Sequence, residues 1–160
     1  TLYDLSMPDP MTGISFQLDG KTLTLRQLED RLLETSGGDV RVLFSLSRGA
    51  LGGPPLPFEP IRADTLERQL REQTASSLDS PYLLQIDHAQ HAIFVWIEVL
   101  SRSDAFLNYW QQQRRARAPS LSSVLIDLSS PRRQQTLNAA VGYTVRMIPF
   151  DRRLNRATGG

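Results

Sequence analysis

Leu25, Leu28, Leu32 and Leu33 recur at helical spacing, which places them on one face of a helix. Thr24 stands before them with Gln27 three residues later, the arrangement of a capping box, and Gly37 supplies a left-handed stop. Upstream, Ile14, Phe16 and Leu18 alternate with Ser15 and Gln17 in a half-buried strand that turns at Asp19-Gly20. The segment before it, from Thr1, is turn-rich, with Pro8, Pro10 and Gly13. The apolar run Val40 to Leu46 lies between Gly37-Gly38 and a Gly/Pro-rich loop. It predicts a short buried strand at the centre of the chain, opening into an irregular connection. A second helix is expected with Asp64 as cap, Glu67 as its box partner, Leu66 and Leu70 inward, and fraying at Ser76-Ser77.

Tyr82 to Ile86 and Ala92 to Trp96 read as two strands joined by the five-residue loop Asp87-His88-Ala89-Gln90-His91. A third helix is predicted from Asp104 to Arg117, with Phe106, Tyr109 and Trp110 on its apolar side. Ser120 caps a short helix bearing Leu121, Val124, Leu125 and Leu128. Pro131 opens another, with Leu137, Ala140 and Val141 inward and Gly142 ending it. Tyr143 to Ile148 is a last alternating strand, and the tail 156–160 is expected to be loose. Helices and strands do not alternate strictly, so the expected class is α+β: one domain over 1–160, a small, largely antiparallel sheet flanked by about five helices.

Composition changes this picture little. The chain has 160 residues, 40% of them hydrophobic and 22% charged, as in an ordinary soluble domain with its own core. Ala92 to Leu100 is the longest apolar patch, and Glu98 interrupts it, so no membrane insertion is expected. The opening Thr1-Leu2-Tyr3-Asp4 has no basic or apolar leader character, so no signal peptide is expected, and the threonine start fits a processed or trimmed chain. The compartment stays open, with the cytoplasm favoured. No cysteine is present, which excludes disulfides, thiolate metal sites and thiol nucleophiles.

Charge is unevenly spread. Through residue 100 eight cations face fourteen acids; beyond it ten arginines face three acids. Such a dipolar chain bears on partners more than on fold.

The leucine-rich helix Leu23 to Leu33, the run Asp39 to Leu46 and the turn Gly53-Pro54-Pro55-Leu56 resemble domain-of-unknown-function family 547 over nearly the whole chain. Members of that family show a leucine-rich helix with an Ile-Glu pair, an Asp-Pro-Arg-x-His-Phe-Ala-Leu strand, a cysteine, then a Cys-Pro-Pro-Leu turn. They end in Tyr-Asp-Trp-Ser-Leu-Asn, where this chain has Phe150-Asp151-Arg152-Arg153-Leu154-Asn155. The family's N-terminal helical portion has no counterpart, so the chain resembles the C-terminal two-thirds of that domain. The resemblance puts Leu43 at the family's histidine, Arg48 at its first cysteine and Gly53 at its second. Acyl chemistry of that kind needs a thiolate, a base and an orienting group, and only the carboxylate, Glu29, is left. The resemblance thus implies a degenerate, non-catalytic member.

Two sets of candidate site residues follow. Glu29, Arg41, Ser47 and Arg48 could line a pocket at the end of the central segment, with Arg41 or Arg48 as the counter-ion of Glu29; a structural salt bridge is the simpler reading. Arg114, Arg115, Arg117, Arg132, Arg133, Arg152 and Arg153 form a candidate binding patch for another protein with an acidic surface, or for self-association. Nucleic acid is a less favoured partner, because Tyr109, Trp110 and Tyr143 lie at core spacing. The alternative is a hydrolase or transferase with its site around Ser47, Arg48 and Glu29, and a further alternative is phosphate or nucleic-acid binding. His88 and His91 with Asp87 could share a metal, although an exposed polar turn is the simpler reading. The favoured expectation is a binding or assembly module without cofactor or metal.

Overall fold

The computed structural model describes residues 11–115 and 120–153 of the chain, and the first element among them is a hairpin. Strands β1 (Ser15–Leu18) and β2 (Lys21–Thr24) pair antiparallel, Phe16 opposite Leu23. Asp19 and Gly20 both take positive φ, 52° and 71°, the paired left-handed geometry that matches the twist of a two-residue hairpin. Helix α1 (Leu25–Thr35) follows directly, closed by the expected reciprocal cap between Thr24 and Gln27. Gly37 and Gly38 then adopt φ of 70° and 82° and turn the chain away.

The central segment differs from expectation. Val40–Ser45 is a 3-10 helix, not a strand. Asp39 caps it by accepting a hydrogen bond from the Arg41 backbone N–H at 3.0 Å. Val40, Leu43 and Phe44 all face the core, fully buried. An apolar run this short does not tell strand from helix by its period, and the Asp39 cap decides it.

Helix α2 (Leu66–Asp79) also departs in detail. Thr65 is its N-terminal flanking residue and makes no side-chain cap. Asp64 pairs with Arg62, and Glu67 is taken by Arg41. The helix does not fray at Ser76-Ser77 but runs on to Asp79, because Thr74, Ser77 and Leu78 are buried against the core. Leu70 faces inward as expected, whereas Leu66 is exposed.

Strands β3 (Leu84–Asp87) and β4 (Ala92–Val95) form the expected antiparallel hairpin. Asp87 belongs to the strand, so the loop is residues 88–91, with His91 at φ 49°. After Val95 the chain forms a short helix that the apolar pattern hid, α3 (Ile97–Ser101), and then α4 (Ser103–Arg114). Arg115 ends α4 in a left-handed conformation; Arg117 lies outside the described residues. Ser120 caps α5 (Leu121–Leu128) as expected, and Pro131 opens α6 (Pro131–Asn138), which Ser130 caps. Val141, expected inward, is 65% exposed, because α6 has already ended.

Strand β5 (Thr144–Met147) joins β4 in parallel, Ile93 opposite Val145. The expected single sheet is therefore two: the β1–β2 hairpin, and a mixed sheet in the order β3–β4–β5. Six α-helices and one 3-10 helix accompany them among the described residues, and the fold is α+β. Phe44 sits at the core's centre, 5.6 Å from the Trp96 ring and 6.2 Å from that of Phe106 between centroids. No helix among the described residues is long and apolar enough to cross a membrane.

Candidate functional site

The 3-10 helix delivers the chain into the loop that starts at Leu46, and Arg48 is the loop's inward-pointing residue. Its guanidinium is 7% exposed. It donates to Glu29 at 2.9 and 3.1 Å and lies 2.9 Å from Glu98. The same group stands over the Trp96 ring, 5.1 Å from its centroid, close enough for a cation–π contact. Glu29 comes from the buried side of α1, and Glu98 from the first turn of α3.

Further arginines complete the cluster. Arg26 and Arg102 both donate to Glu98 in very short contacts, and Arg102 also reaches Asp30 at 2.5 Å and Glu29 at 3.4 Å. Three guanidinium groups thus meet three carboxylates, with Glu98 at the hub and only 4% exposed. Buried charges persist only when paired and hydrogen-bonded in this way. Glu98, Arg102, Arg26 and Asp30 were not candidates on sequence grounds. The available signal was Glu98 itself, a carboxylate in the middle of an apolar run.

The electrostatics follow from the geometry. Burial alone would push the Glu98 carboxyl up, but Arg48, then Arg26 and Arg102, outweigh burial and hold it below its ordinary 4.5. Burial would likewise lower Arg48, and Glu29 and Glu98 overcome that and raise it. A carboxylate whose folded pKa is depressed adds stability that is complete above its unfolded value and is lost as pH falls through its folded one. Unfolding free energy should therefore hold steady from neutrality down to 4.5 and decline below it. Thermal melts across that range check this, and Glu98→Gln should flatten the acid limb.

The other pocket candidates are placed differently. Arg41 belongs to a separate group, bonded to Asp39 and to both oxygens of Glu67 at 2.8 Å. That bidentate contact holds Glu67 at about 2. Burial, followed by the nearby Asp39 carboxylate, pushes the Tyr109 hydroxyl up to about 12 beside Arg41. The Ser47 hydroxyl accepts the Gly49 N–H within its own turn at 3.2 Å. No histidine bonds to it among the described residues; His88 meets the Tyr143 hydroxyl at 3.0 Å, and the His91 ring packs 5.0 Å from the Tyr143 ring. No group of three or more His, Cys, Asp or Glu among the described residues could hold a metal ion.

Leu43 is a core residue, and a Cβ on Gly53 would come 3.1 Å from that of Arg48. The adjacent glycine is more demanding. The Leu51 and Gly52 N–H groups bond the carbonyls of Arg153 and Asp151, both at 2.9 Å. A Cβ on Gly52 would lie 2.5 Å from the Asp151 backbone nitrogen. Gly52→Ala should therefore pry this junction apart and destabilise the fold by about 1–3 kcal/mol, measurable as a lowered denaturation midpoint.

The arginines of the candidate patch divide in two. Arg114 pairs with Asp127 at 3.1 Å, Arg133 reaches the Asp79 carboxylate and carbonyl, and Arg153 pairs with Asp151 at 2.6 Å. Arg115, Arg132 and Arg152 are exposed and have no carboxylate partner among the described residues. The Arg114–Asp127 bridge ties the end of α4 to the last turn of α5, shortly before Arg132 in the first turn of α6. Compared with known proteins, the chain matches no family model, and no curated protein or solved structure is significantly similar to it.

Proposed function

We propose that this chain is a non-catalytic binding module that takes an acidic protein surface on the arginines of its C-terminal half. The carrying observation is Arg48. At the loop where nucleophilic chemistry would need an activated side chain, a guanidinium is held between Glu29 and Glu98 over Trp96. Its charge is spent on the fold.

Recognition falls to charge that the fold leaves uncompensated. Arg115, Arg132, Arg146 and Arg152 are exposed, and exposed arginines match planar carboxylates in bidentate fashion. Tyr109 is buried and Tyr143 is engaged by both histidines, which favours an acidic protein over stacked bases.

A glutamate homopolymer tests this by fluorescence anisotropy. Binding should weaken with added salt. It should drop about tenfold or more in the triple variant Arg115→Glu, Arg132→Glu, Arg152→Glu, three exposed pairs being lost at once. Tighter binding to single-stranded DNA of equal length would point to phosphate instead, and no binding to either would defeat the proposal.

A further inference from the structure

We propose that the outer edge of β5 is a strand-addition site for an extended partner segment of apolar–acidic–apolar pattern. This deepens the binding-module reading and rests on it. The Thr144 and Ile148 N–H groups donate to the carbonyls of His91, just before β4, and Val95 on β4, at 3.0 and 2.8 Å. By alternation, Val145 and Met147 turn their N–H and C=O groups to the other side. Those groups have no backbone partner among the described residues. A parallel strand is ordinarily covered, yet among the described residues β5 is the last strand of its sheet. An edge of this kind is a template for another strand.

The side chains indicate what that strand carries. Val145 and Met147 are in register with Ile93 and Val95, which are fully buried, so they continue the core face of the sheet. Met147 is nevertheless 50% exposed, and no further strand pairs with β5 among the described residues. An added strand would cover both with apolar residues. Arg146 lies between them on the opposite face and is exposed. In antiparallel addition it occupies a non-hydrogen-bonded position, where side chains approach most closely. A carboxylate opposite it completes the site.

Charge also selects between occupants. A second copy pairing its own β5 in the register that uses both Val145 and Met147 would set Arg146 against Arg146, and like charges directly opposite are destabilising. A segment with Glu or Asp at that place is attracted instead. The occupant is therefore a partner's acidic, extended peptide.

The test uses the full chain and the synthetic peptide Ser-Thr-Val-Glu-Val-Thr-Ser, blocked at both ends. Controls carry Lys for Glu, or N-methyl groups on the two valine nitrogens that would bond β5. The wild type should bind the glutamate peptide at least about tenfold more tightly than either control, the size expected of a lost charge pair or lost backbone bonds. Arg146→Glu should reverse the preference to the lysine peptide. Met147→Pro should abolish binding, since it removes an outward N–H and no bond to β4; the N-methyl control asks the same question without altering the protein.

Binding indifferent to N-methylation would overturn strand addition. So would a dimer, seen by sedimentation, that Met147→Pro dissolves. If either occurs while the glutamate polymer still binds through Arg115, Arg132 and Arg152, only the edge assignment falls. If the polymer fails as well, the binding-module reading falls with it.

Discussion

Glu98→Ala is expected to destabilise the protein by about 3–5 kcal/mol, the cost of leaving buried charges without their counter-ion. Arg26, Arg48 and Arg102 all converge on this one carboxylate. Its loss leaves Glu29 and Asp30 to answer three guanidinium groups, two of them nearly sealed from water. The pair is not being credited with that much net stability, since burying both charges costs about as much as their attraction returns. What the substitution measures is the orphaned remainder. Urea denaturation of Glu98→Ala beside Glu67→Ala separates the two cases. Glu67 also binds an arginine bidentately but is 64% exposed, and its loss should cost no more than about 1 kcal/mol.

Phe44→Ala is expected to cost about 3–5 kcal/mol, the range for emptying a buried aromatic position. Phe44 is fully buried, meets Phe106 edge-on at an interplanar angle of 87° and tilts against Trp96. Trp96 is also the ring beneath Arg48. A cavity at Phe44 therefore loosens the floor of the ion cluster as well as the core. A lowered denaturation midpoint checks the first effect, and a red shift in tryptophan emission checks the second.

Much of the fold was legible wherever a local rule operates alone. The Thr24/Gln27 cap, the Asp19-Gly20 turn, the Ser120 cap and the Pro131 helix start each depend on residues within a few positions of one another, and each is observed. Where burial decides, the sequence was ambiguous. The run at 40–45 is too short for its two polar positions, Arg41 and Ser45, to distinguish strand from helix, and it is a 3-10 helix. The serines near the end of α2 stay helical because the core holds them there. The parallel placement of β5 beside β4 joins segments about fifty residues apart, and no local pattern encodes that pairing.

The candidate site divides in the same way. Glu29 and Arg48 were visible as a possible pair and do meet. Glu98 and Arg102 were not, because α3 lies hidden within an apolar run. Ser47 and the histidines belong to different parts of the fold, a separation that composition does not reveal. Of the arginines, the sequence showed the excess but not which ones the fold neutralises.

We propose above all that the loop around Arg48 serves the fold through its ion pairs with Glu29 and Glu98 rather than bond-making. Hydrolysis of p-nitrophenyl acetate by purified wild type and Ser47→Ala tests it most directly. The two proteins should be indistinguishable from each other and from buffer. Turnover by the wild type that disappears in a folded Ser47→Ala protein would contradict the claim.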